Sequence, residues 1–354
     1  MIVLSKQLGL ISLVFLLSGY TNLSAASGPT DKQSQLQSQL RYTSSALDLA
    51  APSDSKFKNE AYLDFYGLLA GELKQEVEYF NGVTTIDDHS IASHVFVPRN
   101  PVGTIFILHG YFDHVGTLSH MINTAVEKNY AVFAYDLPGH GNSSGNRGDI
   151  KGINNNALLL NKIVAKYNSS LPKPYQLIGF STGGSIALEN AMLEDNSLFE
   201  KTVLVSPLIH HKQWRWGKFG YTITAPFLKT LKSRHKKNSN NTQYLEFAKT
   251  DPLRNTVISY EFLKALYQWN RRIDKSSTIE ADMLVVQGEL DNVVDWEYNL
   301  PLLRQKANNL KIHKVPHGKH QLFNEVESVR SDVFERIFEF LDTELLSEGA
   351  LEAG

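Results

Sequence analysis

The chain has no cysteine among its 354 residues. That absence excludes a disulfide framework, a thiolate nucleophile, a zinc–thiolate site and an iron–sulfur cluster. Long hydrophobic runs are also missing. The longest sits at the N-terminus, from Leu8 to Leu17, and is shorter than the roughly 20 apolar residues a membrane-spanning helix needs. Neither sign of charge is in excess: 35 Lys and Arg face 37 Asp and Glu, so no basic field draws the protein to nucleic acid. With 42% hydrophobic and 20% charged residues the composition is that of a folded globular protein. No 20–50-residue repeat is visible, which excludes solenoids and propellers.

The first residues read as a targeting signal. Lys6 precedes the apolar run, and small residues follow at Ser24, Ala25 and Ala26. A positive start, a short apolar core and a small-x-small exit describe a secretory signal peptide over residues 1–26, cleaved after Ala26. Leu17-Ser18-Gly19 stands where a lipoprotein signal would precede cysteine, but the next residue is Tyr20, so no lipid anchor can form there. An exported protein, periplasmic or secreted, is expected. A polar lead with an N-terminal helical segment fills residues 27–75.

Beyond it, strand and helix signals alternate. Glu76–Phe80 and Ile91–Val97 read as a β-pair around turn residues Asn81-Gly82, Asp87 and Asp88. Short apolar runs at Thr104–Leu108, Tyr130–Tyr135, Tyr175–Ile178, Thr202–Val205 and Met283–Val286 suit strands buried on both faces of a parallel sheet. Helical periods lie between them, and Val329–Leu345 closes the chain. This predicts a mainly parallel, doubly wound α/β fold over residues 76–206 and 278–354. Residues 207–277 break the alternation and read as an inserted helical lid. A length of 354 suggests about two domains of roughly 150 residues; with the lid read as an insertion, one core is left.

Gly179-Phe180-Ser181-Thr182-Gly183 follows a strand and precedes a helix, the context a G-x-S-x-G nucleophile turn requires. Small residues at Gly179 and Gly183 keep the approach to Ser181 open, and the helix N-terminus supplies N–H groups beneath a developing oxyanion. A serine hydroxyl needs a histidine base and an acid that orients it. Asp291, on the loop after Met283–Val286, is the preferred acid over Glu289, Asp295 and Asp282. His320, after the run Leu310–Val315, is the preferred base, with His317 its rival. The oxyanion donors expected are the N–H groups of Thr182 and of Tyr111, which follows the strand end His109-Gly110. His109, His114, His120 and His140 cluster in sequence, yet no metal-ligand spacing such as H-E-x-x-H is present. No metal or organic cofactor is called for.

These residues together resemble the α/β-hydrolase superfamily, and within it the lysophospholipase and monoacylglycerol lipase branch, the serine-aminopeptidase-like hydrolases. The H-G-x-x-x-H segment of that branch reads His109-Gly110-Tyr111-Phe112-Asp113-His114. Its D-x-x-G-H-G-x-S segment reads Asp136-Leu137-Pro138-Gly139-His140-Gly141-Asn142-Ser143. Asp251-Pro252-Leu253 and Gly318–Glu325 match as well. The resemblance implies hydrolysis of a monoacyl lipid ester, a lysophospholipid or a monoacylglycerol, through an acyl-serine. Peptidase, thioesterase or acyltransferase chemistry on the same triad is the alternative, and a non-catalytic binding module a further one. His114, Trp214, Trp216, Phe219 and Phe227 are expected substrate contacts, the aromatics lining an acyl channel. The basic tract Lys232–Asn241 suggests transient contact of the lid with a membrane surface.

Overall fold

The structure, a computed structural model, describes residues 38–40, 45–50, 59–193, 198–233 and 236–343. Residues from Gln39 on belong to one compact unit. The targeting segment 1–26 lies outside the described residues.

In chain order, the described elements begin with helices α1 (Glu60–Tyr66) and α2 (Leu73–Glu76), then strands β1 (Val77–Ile86), β2 (His89–Pro98) and β3 (Gly103–Leu108). Helix α3 (Ser119–Glu127), β4 (Tyr130–Tyr135), α4 (Ile153–Tyr167), β5 (Tyr175–Phe180), α5 (Thr182–Ala191) and β6 (Lys201–Val205) follow. The insertion comprises α6 (Trp214–Thr224), β7 (Thr230–Lys232), α7 (Thr242–Thr250), β8 (Val257–Ser259) and α8 (Tyr260–Ile273). The chain returns through β9 (Asp282–Gly288), α9 (Trp296–Lys306), β10 (Leu310–Val315) and α10 (Glu327–Asp342).

The main sheet has eight strands in the order β1-β2-β4-β3-β5-β6-β9-β10. From β4 to β10 every pairing is parallel; β2 runs against both its neighbours. Strands β3, β4 and β5 are buried at every residue. Their continuous apolar runs have no exposed face because helices cover both sides. The sheet core joins Phe106, Phe133 and Tyr175, with the Phe106 and Phe133 rings stacked 5.3 Å apart.

Two expectations are corrected. Asn81-Gly82 is not a turn: β1 runs through it to Ile86, and the hairpin is the pair Asp87-Asp88, with Asp87 at φ 50°. The glycine is there because another segment passes close by. A Cβ at Gly82 would lie 2.7 Å from the Leu47 Cα, and Ser45–Leu47 hydrogen-bonds to Val83 through both its backbone groups. The insertion is also not wholly helical, since β7 and β8 pair as an antiparallel ribbon, Thr230 opposite Ser259 and Lys232 opposite Val257.

Candidate active site

Ser181 occupies the single residue between the end of β5 and the start of α5. Its φ of 52° and ψ of −108° lie where a non-glycine residue is strained, so the surroundings must hold it there. They do so through the backbone: the Ser181 N–H donates to Val205 O at 2.9 Å, while Ser181 O accepts from Leu208 N at 3.0 Å and Ser185 N at 3.1 Å. The two glycines act by absence. A Cβ at Gly179 would lie 2.3 Å from Gly183 O, and one at Gly183 would lie 2.3 Å from Leu108 O.

Sheet order brings the other residues to the same edge. Asp291 follows β9 and His320 follows β10, which are neighbours. The two loops interlock where Gly288 faces the Gly318 carbonyl, 2.4 Å from where its Cβ would be, and where Leu290 N donates to Gly318 O at 2.9 Å. His320 Nδ1 then meets Asp291 Oδ2 at 2.8 Å, and His320 Nε2 meets Ser181 Oγ at 3.0 Å. All three residues are buried.

The electrostatics give each group a direction. Burial alone would raise the Asp291 carboxyl, but His320 and the N–H groups of Val293 and Val294 hold it below the usual carboxylate range. Asp291 is thus an anion accepting from Val293 N at 2.7 Å, Val294 N at 3.1 Å and Gln287 Nε2 at 3.1 Å. An anion on Nδ1 places the imidazole proton there and leaves the Nε2 lone pair directed at Ser181 Oγ.

The sequence competitors are elsewhere. Glu289 pairs with Lys314 at 2.7 Å. Asp295 precedes α9 and Asp282 opens β9 at its far end. His317 is exposed. Tyr111 and Thr182 sit at the exits of β3 and β5, which are paired strands. Among the described residues neither of their N–H groups donates to another backbone group.

His109 serves the frame. Its Nδ1–H donates to Gly110 O at 2.8 Å, and Nε2 accepts from Leu137 N at 2.9 Å, stitching the β3 and β4 exits together. Burial, and then His140, press its pKa well below the ordinary histidine value, as a neutral acceptor requires. Asp136 works likewise, accepting from Val115 N at 2.8 Å and Asn142 N at 2.7 Å.

Two expectations about substrate contacts are corrected. His114 is wholly buried, with Nε2 on Asp251 Oδ2 at 2.8 Å and Nδ1 accepting from Gly116 N at 3.2 Å. Both ring nitrogens are spent inside the protein. Tyr66 of α1 donates to the other Asp251 oxygen at 2.9 Å, so three segments far apart in sequence meet at one carboxylate. The aromatics do not line an enclosed channel either. Trp216 is 71% exposed, Phe219 50% and Phe227 82%. Trp214 instead stacks on His210 at 3.9 Å, whose other face lies on Tyr298 at 3.8 Å.

Sequence reading missed the clamp on the His320 loop. Glu325 is fully buried, and its carboxyl accepts from Asn240 N at 2.8 Å, Lys319 N at 3.0 Å, Asn240 Nδ2 at 3.2 Å and Val326 N at 3.2 Å. Gln321 N donates to Asn238 O at 2.9 Å. A lid segment thereby holds the residues on both sides of His320. The signal available was an acid five residues after a histidine; its partner lies in the lid, beyond any local pattern. Tyr111 ties the lid to the β3 exit in the same way, its hydroxyl donating to Gly148 O at 2.6 Å and accepting from Ser259 N at 2.8 Å.

Comparison with known proteins agrees with this architecture. Residues 99–327 match the family model described as serine aminopeptidase, S33. The chain is 25% identical over 251 residues to the phospholipase YtpA of Bacillus subtilis, covering 68% of this chain and 96% of that protein. It is 25% identical over 254 residues to human monoglyceride lipase, covering 67% and 81%. Among solved structures, a soluble variant of monoglyceride lipase from Saccharomyces cerevisiae superposes with a TM-score of 0.65 at 17% identity, covering 74% of this chain and 94% of that one. The monoacylglycerol lipase of Paleococcus ferrophilus gives 0.63 at 21% identity, covering 72% and 99%. Those likenesses establish the fold, and the family match covers most of the chain: this protein belongs to the serine aminopeptidase S33 family of α/β-hydrolases.

Proposed function

We propose that the protein hydrolyses carboxylic esters of monoacyl lipids, lysophospholipids or monoacylglycerols, through a covalent acyl-enzyme on Ser181. The observation that carries this reading is the unbroken hydrogen-bond chain from Ser181 Oγ through His320 to Asp291, set on a strained strand–helix turn. His320 Nε2 takes the Ser181 proton as Oγ bonds to the ester carbonyl carbon. The N–H groups of Tyr111 and Thr182 receive the oxyanion, worth typically about 100–1,000-fold in rate per donor. Collapse breaks the ester C–O bond, and the imidazolium gives its proton to the departing alcohol. Water, deprotonated by His320, then releases the fatty acid. Asp291 holds the ring and balances its charge throughout.

The lipid ester is favoured by the relatives, which carry the names phospholipase and monoglyceride lipase. Export to the periplasm or medium remains part of the proposal on sequence grounds, and N-terminal sequencing of the secreted protein tests it; a retained Met1 refutes it. The decisive experiment sets monoacylglycerol and lysophosphatidylcholine against aminoacyl amides and thioesters, with a serine-reactive phosphonate as label. Faster turnover of the amides or thioesters defeats the lipid-ester reading. Label on a residue other than Ser181, or undiminished hydrolysis by Ser181→Ala, defeats the nucleophile.

A further inference from the structure

The N–H of Tyr111 is one of the two proposed oxyanion donors, and the residue that carries it is held from two sides. On the carbonyl side, Gly110 O accepts from His109 Nδ1 at 2.8 Å and from Asp113 N at 3.0 Å. Gly110 C=O and Tyr111 N–H belong to one planar peptide group and point opposite ways, so bonds to the carbonyl fix the direction of the N–H. The other side is the tyrosine side chain, and there the lid enters. The Tyr111 ring, buried, lies on the Phe262 ring of α8 at 4.0 Å with 20° between the planes. Its hydroxyl accepts from Ser259 N at 2.8 Å, where β8 passes into α8, and donates to Gly148 O at 2.6 Å on the loop after β4.

Both polar partners are placed for that hydroxyl. In the β7–β8 ribbon, Tyr260 N donates to Lys229 O and Ser233 N to Thr256 O, each at 2.9 Å. The alternation of an antiparallel ladder then puts Ser259, opposite Thr230, at a position whose N–H faces out of the ribbon, where the tyrosine meets it. Gly148 has φ 70°, and a Cβ there would lie 2.5 Å from the Tyr111 hydroxyl and from Asn255 Nδ2 of the lid, so only glycine lets the three segments close. Burial pushes the pKa of the hydroxyl above its ordinary value, which keeps it neutral and able to give and receive at once. Phenylalanine would preserve the ring stack but strand the Ser259 N–H and the Gly148 carbonyl in a buried place.

We propose that the Tyr111 side chain couples the lid to the oxyanion hole: Ser259 and Phe262 act as positioning residues that hold the tyrosine, and through it the N–H that receives the oxyanion. The inference rests on the ester-hydrolase reading of the same site. Among the described residues, none of the hydrogen bonds of Ser181, His320 or Asp291 side chains goes to Ser259 or to the Tyr111 hydroxyl. Loosening this tether therefore weakens the stabilisation of the tetrahedral intermediate while the proton path from Ser181 to His320 stays intact.

The test compares a short soluble oxoester with its thionoester, in which sulfur replaces the carbonyl oxygen and accepts hydrogen bonds weakly. Titration with a serine-reactive phosphonate counts the active sites, so misfolded protein does not enter the rates. For Tyr111→Phe, kcat on the oxoester should fall about tenfold, short of the roughly 100–1,000-fold of a donor lost outright, with KM changed less than about twofold. The loss on the thionoester should stay under about threefold, because little of its barrier is relieved by the hole. A trifluoromethyl ketone reports the same donors. Its carbonyl carbon bonds to Ser181 Oγ, the serine proton passes to His320 and the ketone oxygen becomes the oxyanion, so its affinity should drop about tenfold as well. Phe262→Leu, altered only on the lid side, should repeat the pattern at about threefold on the oxoester. The pH profile set by His320 should keep its shape in both variants. Equal losses on the two esters, which would mean that Ser181 or His320 has moved, or kcat unchanged in both variants, overturn the inference and leave the hydrolase reading standing. A parent that hydrolyses no oxoester, or is labelled elsewhere than Ser181, defeats that reading first and this inference with it.

Discussion

At the carboxyl edge of the sheet, Ser181, Asp291 and His320 each stand within five residues of a strand end, while α6 of the lid has no buried residue. The strand exits are fixed from below by ladders and by glycines whose missing Cβ atoms let loops touch. The lid is fixed through α8, whose Phe262, Leu266, Trp269 and Ile273 enter the core, and at polar points: Glu325 on Asn240, Asp251 on His114 and Tyr66, and the Tyr111 hydroxyl on Ser259. The difference teaches where changes should matter. In the frame, one group controls the chemistry because its geometry is over-determined. In the lid, the anchors carry stability and the outward residues carry almost none.

Asp291→Asn gives the largest expected effect. An amide in place of the carboxylate no longer enforces the Nδ1–H tautomer or balances the imidazolium, and kcat should fall roughly 10⁴-fold with little change in unfolding temperature. Steady-state kinetics on a soluble ester measure it; a loss below tenfold would assign the orienting role to another acid.

Asp251 is the severest lid anchor. Its side chain is buried against His114, so Asp251→Ala leaves that imidazole and the Tyr66 hydroxyl without their acceptor and should cost about 3–5 kcal/mol in a denaturant titration. Its acid dependence has a definite sign. Burial opposes ionisation, but His114, the Leu253 N–H and the Tyr66 hydroxyl hold the carboxyl below its ordinary value. A carboxyl whose folded pKa is depressed stabilises the fold above its unfolded value, about 3.9, and the stabilisation is lost as pH falls through the lower folded value. Between pH 6 and pH 3 the parent should therefore lose more stability than a variant carrying both Asp251→Asn and His114→Gln, in which neither partner titrates and the buried imidazole is not left without its anion. Parallel curves would remove Asp251 from the acid response.

Glu325 joins the two regions. Glu325→Ala removes the acceptor of four N–H donors, and a stability loss of about 3 kcal/mol is expected. Because Lys319 and Gln321 flank His320, kcat should fall by about tenfold while KM on a short soluble ester changes little. Glu325→Gln, which keeps one acceptor oxygen, should recover part of both. A loss of stability with kcat intact would make Glu325 a lid fastener alone.

How much of this was legible follows from the same division. Buried parallel strands announce themselves as apolar runs, and Gly179-Phe180-Ser181-Thr182-Gly183 carries its own local geometry, so the fold and the placement of Ser181, Asp291 and His320 at one edge could be read from sequence. Asn81-Gly82 misled because a glycine that yields to a neighbouring segment looks like one that turns the chain. Strands β7 and β8 escaped because each has three residues and a partner 27 positions away. His114, Asp251, Tyr66, Glu325 and Asn240 act only through contacts between distant segments, and the lid aromatics show that composition does not say which way a side chain faces.

Trp214 and Trp216 isolate that last point at the smallest scale, two tryptophans separated by one residue of the same helix. Trp214 stacks on His210, whose other face lies on Tyr298 of α9, and meets Tyr267 of α8 edge-on, so it fastens the start of the lid to both the core and the lid's own floor. Truncating it removes a stacked contact and a half-buried indole, and Trp214→Ala should cost about 2 kcal/mol, below the 3–5 of a fully buried tryptophan. Trp216 is largely exposed, and among the described residues its ring meets no aromatic ring but that of Phe219, so Trp216→Ala should stay within about 0.5 kcal/mol of the parent, as surface changes do. Paired urea titrations read both. Equal losses would mean that Trp216 is packed against something in solution, while a cost confined to Trp214 leaves Trp216 free of any part in holding the fold.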